Sequence, residues 1–444
     1  MNKSISFKNI NKLAIPALIA GIAEPILSIT DTAIIGHIDI NATESLAAVG
    51  IVGAFISMLI WVFGQVRSAI SSIISQYVGA NKLDEIKELP AQAIAMIVAS
   101  SLLVLALSYP FSGQIFQFYN ASDQILDYCI AYFNIRIFGF PFALFVFAVF
   151  GTFRGLQNTF YPMIIAIIGA SLNIVLDFIL VYGIEGYIPA MHVEGAAYAS
   201  VIAQVVMAII SLVLLLKKTA ISLRLSFTLH AEVPRLLNMI GNLFIRTIAL
   251  NVALYLATSY ATDYGKEYIA AYTISINIWL LGAFMIDGYS SAGNILSGKL
   301  LGAKEYKSLV ILSNKLFKYG IVIGTIIAVL GAVFYNAIGR IFTNETLVLE
   351  QFYTVFWIVL ITQPINAITF IFDGMFKGMG EMKYLRNLLI LATGLVFVPT
   401  LLIFDYLNYK LIAIWLAFTC WIIARGLPLV FKFRKKFIPL AENQ

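Results

Sequence analysis

Long apolar stretches alternate with short polar connections along the whole chain. A helix that crosses a bilayer needs about 20 predominantly apolar residues, and twelve stretches approach or exceed that length. We therefore predict an all-α membrane protein with twelve transmembrane helices, numbered here by position, at residues 12–36, 45–73, 90–111, 127–150, 161–183, 194–216, 235–260, 267–293, 315–338, 350–373, 384–404 and 410–431.

The second half of the chain repeats motifs of the first half at an offset of 223 residues. The matching positions are Leu46-Ala-Ala with Ile269-Ala-Ala, Pro141 with Pro364, Gly151 with Gly374, and Phe153-Arg-Gly with Phe376-Lys-Gly. Each copy holds six helices, an even number, so both copies enter the membrane from the same side. We predict two six-helix lobes, residues 1–216 and 235–444, joined by a cytoplasmic linker at 217–234 and related by a pseudo-twofold axis along the membrane normal.

Composition and charge agree with a membrane location. The chain is 61% hydrophobic and 12% charged, whereas soluble domains are about 45–50% apolar and about 25% charged. Most of the 29 basic residues fall in the connections on the side of the N-terminus, so the positive-inside rule places both termini in the cytoplasm. The net charge of +6 is explained by this topology and by anionic lipid headgroups, without a nucleic-acid partner.

The sequence shows no pattern typical of an enzyme. Its two cysteines, Cys129 and Cys420, and its three histidines, His37, His192 and His230, do not have the spacing of metal ligands. We therefore predict no catalytic residues, no resident metal and no cofactor.

Five polar residues of the first lobe are predicted at one depth in the membrane. Helices 1 and 5 run outward and carry Asp31 and Asp177 in their outer halves, while helices 4 and 6 run inward and carry Tyr132 and Ser200 in theirs. Asn173 precedes Asp177 by four residues and lies on the same helical face. An ionisable residue within a membrane is costly unless it is paired or functional, so these five form the candidate coupling site.

The chemistry of the candidate coupling site leaves two cations open. A carboxylate in a low-dielectric site, next to a second carboxylate, holds a proton more readily than in water, as an H⁺-coupled antiporter requires. Na⁺ is the alternative, because Asp31, Asn173 and Asp177 offer the hard oxygen ligands that it prefers. Ser200 taken alone is more typical of a packing hydrogen bond, since an isolated serine in a transmembrane helix more often packs than binds a ligand.

Helix 1 also contains Pro16 and Pro25. Each proline removes a backbone hydrogen bond and tends to kink a helix, so Asp31 lies on an element that either has a fixed bend or moves as a hinge. Glu24 directly precedes Pro25. It is a candidate for facing a central cavity, with pairing to an arginine as the alternative.

The second lobe carries a different polar set. Arg246 lies in the middle of helix 7, and Asp287 and Asp373 lie in the inner halves of helices 8 and 10. An arginine in lipid needs a counter-ion, so we expect it to form a network with one of these acids. The network would be either structural or a second coupling site.

Several motifs together resemble the multidrug and toxic compound extrusion (MATE) transporters over nearly the whole chain. In the first lobe these are Ile29-Thr-Asp-Thr-Ala-Ile-Ile-Gly-His37, Tyr132 with Arg136 and Gly139-Phe-Pro141, Phe153-Arg-Gly, Leu172-Asn-Ile-Val-Leu-Asp177 and Glu194-Gly-Ala-Ala-Tyr-Ala-Ser200. Phe244-Ile-Arg-Thr247, Ile286-Asp-Gly-Tyr289 and Phe372-Asp-Gly-Met-Phe376 are similar to the DinF branch of that family.

The resemblance implies a monomeric multi-pass protein of the inner (cytoplasmic) membrane with a central cavity between its lobes. It also implies multidrug efflux, in which organic, often cationic and amphipathic compounds leave in exchange for H⁺ or Na⁺, with H⁺ preferred. Family cation-site positions fall here on Asp31, Tyr132, Asn173, Asp177 and Ser200. The alternative is a flippase for lipid-linked saccharide precursors, which would need several cationic side chains in its cavity.

Overall fold

Helices account for nearly all of the structure. The computed structural model describes residues 5–38, 41–224 and 228–444, apart from the side chains of residues 24–29, 32 and 42. The α-helices of these ranges are α1 (Phe7–Ile35), α2 (Ala42–Phe63), α3 (Val66–Gly79), α4 (Leu89–Ser108), α5 (Ser112–Phe118), α6 (Asp123–Arg136), α7 (Phe140–Gly155), α8 (Phe160–Tyr182), α9 (His192–Lys218), α10 (Val233–Asp263), α11 (Lys266–Gly302), α12 (Tyr306–Val333), α13 (Tyr335–Phe342), α14 (Thr346–Gly378), α15 (Met382–Ala392), α16 (Val398–Tyr406) and α17 (Leu411–Glu442).

These helices match the predicted membrane spans. Within the described residues, eleven helical segments are long and apolar enough to cross a bilayer, and they coincide with predicted helices 2 to 12. The 29 residues of α1 coincide with helix 1. One face of α12 is apolar and exposed, since Val322, Ile326, Val329 and Val333 are 52–69% exposed. Such an apolar stripe suits lipid tails better than water.

The two repeats differ in where their helices are interrupted. In the first repeat, the second span breaks between α2 and α3 at Gly64, and the fourth breaks between α6 and α7 in a 3₁₀ turn at Ile137–Gly139. The corresponding helices of the second repeat, α11 and α14, run without a break. Pro141 and Pro364 are equivalent, but only Pro141 follows closely after a glycine, Gly139, that leaves room for a turn.

Glycines reproduce the same backbone contacts in both repeats. A Cβ on Gly151 would lie 2.6 Å from the carbonyl oxygen of Arg67, and a Cβ on Gly374 would collide with the carbonyl oxygen of Ser290. Arg67 and Ser290 are themselves 223 residues apart. Small residues let transmembrane helices approach closely, so the duplication has preserved this close approach.

The ends of α3 and α11 contact each other reciprocally. A Cβ on Gly79 would meet the backbone of Lys299, and a Cβ on Gly302 would meet the backbone of Gln76. Under the offset of 223, Gly79 corresponds to Gly302 and Gln76 corresponds to Lys299, so each contact is the counterpart of the other, as a contact around a twofold axis requires. The repeat read from the sequence is therefore present in the packing of these two segments.

The chain divides into two compact units. The N-terminal unit contains residues 19–74 and 82–237, and the C-terminal unit contains residues 1–18, 75–81 and 238–444. The connection from α9 to α10 lies within the predicted linker 217–234. Residues 1–18 and 75–81, in contrast, group with the second half of the chain. Glycines explain this grouping, because Gly288 brings α11 against the backbone of Ala14 and Leu18.

Each unit has its own apolar core. In the N-terminal unit, Val146, Phe150 and Ile165 pack together between α7 and α8. The C-terminal unit has a larger aromatic core in which Trp415 and Trp421 are 1% exposed. These cores hold the helices that carry the buried polar residues.

Candidate cation-coupling site

Helix α8 contributes the first two side chains of the candidate coupling site. Asn173 and Asp177 are one turn apart on one face, and they are 2% and 0% exposed. The Nδ2 group of Asn173 donates a hydrogen bond to Oδ2 of Asp177 at 3.0 Å. The helical spacing that placed them together in the sequence therefore produces a direct contact.

Asp31 and Ser200 approach this pair from α1 and α9. Ser200 Oγ donates to Oδ2 of Asp31 at 3.4 Å, and both residues are buried. The carboxyl groups of Asp31 and Asp177 lie within hydrogen-bonding reach of each other. Oδ1 of each acid has no hydrogen-bond partner among the described residues. A buried acceptor in this condition is costly, so a proton or cation bound by the two acids would lower that cost.

Helix α6 brings Tyr132 to the same place, together with Arg136. Tyr132 is 3% exposed and close enough for electrostatic interaction with both acids. Arg136 follows one turn later, in the last turn of α6, where the helix dipole favours a cation. All five predicted residues are thus assembled in the N-terminal unit.

Arg136 and Gln204, which were not predicted as site residues, also belong to this cluster. The guanidinium of Arg136 donates to Oε1 of Gln204 at 3.1 Å. A side chain on Gly139 would collide with Gln204, so the helix break after α6 makes room for this bond. Gln204 lies one turn after Ser200 on α9, and helical spacing from Ser200 is the signal that would have identified it.

The charges of the cluster leave one negative charge uncompensated. Asp31 and Asp177 are two anions, and Arg136 is the cation that interacts with both. A single proton or monovalent cation would bring the formal charge to zero. Burial makes that neutral state favourable, because an isolated charge in a low-dielectric site is expensive.

A proton and Na⁺ would make different demands on Asn173. Asn173 presents its N–H group, not its oxygen, to Asp177, and Na⁺ would require the amide to turn so that its oxygen faces the site. A proton shared between the two carboxyl groups would leave the amide as it is.

The polar residues of the second lobe form a separate cluster in the C-terminal unit. Arg246 Nη2 lies 2.6 Å from Oδ1 of Asp373, and Lys377 Nζ lies 3.0 Å from its Oδ2. The expected counter-ion of Arg246 is therefore Asp373. Asp287 is partly buried and acts electrostatically on Lys377. Lys377, on the same face of α14 as Asp373, is a member that was not predicted.

Of the hinge and cavity candidates on α1, the structure describes the side chain of Pro16 but not those of Glu24 and Pro25. Pro16 is partly buried and lies within α1, which is assigned as one helix from Phe7 to Ile35. The side chains of Glu24 and Pro25 lie outside the described part of the chain. Their proposed roles in the cavity and the hinge stay predictions.

Comparison with known proteins identifies the fold and the family. The MatE family model matches residues 16–179 and 242–402, one match in each repeat and together more than half of the chain. The chain belongs to the MatE family. It is a multi-pass membrane transporter and not an enzyme.

Individual MatE relatives agree over almost the full length. DNA damage-inducible protein F of Escherichia coli is 26% identical over 95% of this chain and 91% of its own length. The probable multidrug resistance protein NorM of Pasteurella multocida is 27% identical over 89% of this chain and 85% of its own. These relatives confirm the resemblance to the DinF branch and to MATE transporters.

A solved structure shows the same fold. The crystal structure of the Vibrio cholerae MATE transporter VcmN in the bent form matches with a TM-score of 0.88 and 18% identity. The match covers 98% of this chain and 97% of that one. The twelve-helix fold predicted from the sequence is therefore confirmed.

Proposed function

We propose that this transporter is an H⁺-coupled antiporter that exports organic, often cationic and amphipathic compounds by alternating access. The observation that carries the proposal is the pair of buried carboxyl groups, Asp31 and Asp177, each with an unpartnered Oδ1 atom. One proton held between them supplies the missing hydrogen bond and removes the excess negative charge. The name of one relative, the probable multidrug resistance protein NorM, supports organic compounds as the class of substrate.

Protonation of this pair would change the contacts of α1. Asp31 lies on α1 and bonds Ser200 on α9, whereas Asp177 bonds Asn173 within α8. A proton between the two acids ties α1 to α8, and its loss leaves two like charges that repel across the same gap. Position and packing of α1 therefore depend on the proton.

Coupling requires that the proton and the substrate favour different states. A ligand shifts a conformational equilibrium only by its difference in affinity between the two states. We propose that protonation from outside favours the state that releases substrate outward, and that an organic cation competes for the negative charge of the deprotonated pair. The protein would act as a monomer in the cytoplasmic membrane, with both termini in the cytoplasm.

The lipid-linked saccharide flippase is not favoured. Such a substrate carries a pyrophosphate, which calls for cations at the transport site. The first-lobe cluster instead has an excess of negative charge, from Asp31 and Asp177 against Arg136, and two of the second-lobe cations, Arg246 and Lys377, are already ion-paired with Asp373.

Dye uptake into everted membrane vesicles tests the proposal. An acid lumen should drive uptake of a fluorescent organic cation, and an imposed Na⁺ gradient at constant pH should not. Asp31→Asn and Asp177→Asn should each reduce proton-driven uptake by about tenfold or more, within the usual range of coupling energies.

Asp127→Asn is the matched control, since Asp127 is exposed on α6 and its loss should leave uptake unchanged. Uptake driven by Na⁺ but not by the proton gradient would overturn proton coupling. Normal proton-driven uptake by both Asp31→Asn and Asp177→Asn would overturn the role of the carboxyl pair.

A further inference from the structure

The C-terminal unit gathers three cationic side chains around Asp373. Arg246 and Lys377 form ion pairs with its two carboxylate oxygens. Arg425, on α17, is close enough for its charge to interact with both Arg246 and Asp373. With the partly buried Asp287 included, three positive charges face two negative ones. Among the described side chains of this cluster, one positive charge therefore has no counter-ion.

Arg425 is the cation with the weakest local compensation. It is 3% exposed, and its guanidinium lies 4.5 Å from the ring centroid of Trp421 and 5.9 Å from that of Phe370. Aromatic faces attract a cation, but they do not neutralise it. Nη1 of Arg425 and Nε of Arg246 have no hydrogen-bond partner among the described residues. Two guanidinium groups thus keep free donors in a buried region.

Asn366 adds a neutral polar group to the same region. It is 1% exposed, and within the described part of the chain neither its amide nitrogen nor its amide oxygen has a partner. Asn366 lies one turn before Phe370 and two turns before Asp373 on the same face of α14. Thr369 Oγ1 donates to the carbonyl oxygen of Ile422 at 3.3 Å, which holds this part of α14 against α17, close to Arg425.

A buried amide with no partner is costly, and a buried excess charge is more costly still. Both costs fall if a negatively charged acceptor occupies the region. It would accept N–H bonds from the guanidinium groups and the amide and would bring the formal charge to zero.

We propose that Arg425, Arg246 and Asn366 bind one monovalent anion in the C-terminal unit. The chemistry they recognise is a single negative charge that accepts N–H bonds, whether it comes from a halide ion or from the carboxylate group of an organic acid. This site is distinct from the proton site of the N-terminal unit. It does not depend on the proposed export of organic cations.

Tryptophan fluorescence of the purified full-length protein provides a direct test, because bromide quenches an indole that it contacts. Sodium bromide is titrated against sodium sulfate at constant ionic strength, without any membrane gradient. We expect a saturable quenching component from Trp421, followed by the linear quenching of exposed tryptophans. Arg425→Gln should weaken the saturable component about tenfold or more, as loss of a charged hydrogen-bond donor implies, and Arg425→Lys should retain part of it.

Two controls and a second test variant keep the test specific. Arg340→Gln removes an exposed arginine on α13 and should leave bromide binding unchanged. Trp421→Phe should abolish the saturable quenching while preserving the rise in thermal midpoint that bromide produces on binding. Asn366→Leu keeps every charge and serves as the second variant if Arg425→Gln does not fold. It should also weaken binding about tenfold.

Competition identifies the source of the anion. Reversal of bromide quenching by acetate or benzoate would assign the site to carboxylates, and reversal by chloride alone would assign it to halides. Purely linear quenching of the unsubstituted protein, or equal saturable quenching in Arg425→Gln and Asn366→Leu, would overturn the proposal. Since no transport is measured, failure here is distinguishable from failure of the proton-coupled export.

Discussion

The two buried clusters of this transporter have opposite charge on a repeated scaffold. In the N-terminal unit, Asp31 and Asp177 outnumber Arg136, whereas in the C-terminal unit Arg246, Lys377 and Arg425 outnumber Asp373 and Asp287. The first cluster lacks one positive charge, and the second lacks one negative charge. We infer that the duplicated scaffold carries two buried clusters that suit ions of opposite sign.

Comparison of the two units also shows that the repeat has retained its glycine contacts and has not retained its charged residues. Gly151 and Gly374 keep equivalent contacts with the backbones of Arg67 and Ser290. The charged residues have no such equivalents, since Asp177 corresponds to Thr400 and Asp373 to Phe150 under the same offset. Helix packing depends on small volume at fixed positions, whereas a buried charge can be exchanged whenever its partners change with it.

Neutralising one buried acid in each unit should give the largest change in stability. This change should differ between the units. Asp373→Asn leaves two buried arginines and the partly buried Lys377 without their main counter-ion and should destabilise the protein by about 3–5 kcal/mol. Asp177→Asn removes one of two like charges and should leave stability unchanged or raise it. The measurement is the thermal midpoint of each purified variant. Equal losses of stability would contradict the assignment of opposite excess charge to the two clusters.

The shared scaffold should respond equally in both units. Gly151→Ala and Gly374→Ala each push a methyl group against a carbonyl oxygen of the neighbouring helix and should cost about 1–3 kcal/mol. Gly53→Ala and Gly241→Ala are matched controls, one in each unit, because a Cβ at either position meets nothing within 4 Å. These controls should be neutral or stabilising, since alanine favours helix more than glycine does. A loss confined to one unit would show that the glycine contacts are not equivalent.

Gln204→Leu tests whether Arg136 is held by its amide partner. The bond from Arg136 to Gln204 Oε1 is 3.1 Å long, and its loss should destabilise the protein by about 1 kcal/mol. Gln204→Glu keeps an acceptor and should not destabilise to the same degree. Thermal unfolding of both variants provides the check. If Gln204→Leu matched the unsubstituted protein, the amide would not be what positions Arg136.

The smallest change in stability is expected at Glu381, whose ion pairs with two lysines are accessible to water. This residue serves as a reference for both buried clusters. Glu381 precedes α15 and bonds Lys432 at 3.2 Å and Lys436 at 2.8 Å. Burial by itself would raise the pKa of Glu381, but the hydrogen bonds and positive charges of these lysines outweigh it and lower the pKa below its ordinary value. A lowered folded-state pKa contributes stability above the unfolded pKa, and this contribution disappears as the pH falls through the folded value.

Glu381→Gln should therefore lower stability by about 0.2–1 kcal/mol at neutral pH. The difference from the unsubstituted protein should shrink steadily once the pH is lowered below about 4. Thermal midpoints of the two proteins across this pH range measure the effect. A difference that stays constant with pH would show that the side chain acts by packing instead of by charge.

Much of the architecture was predictable because bilayer insertion depends on local sequence. All twelve spans were located from apolar length alone. Breaks inside spans were not, although Gly139 and Pro141 marked one of them. Whether such a pair interrupts a helix depends on neighbours such as Gln204, which the sequence does not place in space.

The candidate site was predictable in part for the same reason. Depth along a helix follows from residue number, so Asp31, Tyr132 and Ser200 could be assigned to one level before their contacts were known. Rotation of each helix about its axis does not follow from residue number. For that reason Gln204 and Lys377 were missed, and Arg246 could not be assigned to Asp373 in preference to Asp287.

The sequence by itself determined the membrane fold, the duplication and the identity of the buried acids, because these depend on hydrophobic length, internal similarity and the cost of charge in lipid. Only the tertiary structure decided the sign of each cluster. The net charge of a cluster depends on which side chains from different helices come close together. Arg425, for example, interacts electrostatically with Asp373 although the two residues are some 50 positions apart in the sequence. The balance of charge is a property of the packed helices, because electrostatic interaction in a low-dielectric interior depends on distances that the order of residues does not specify.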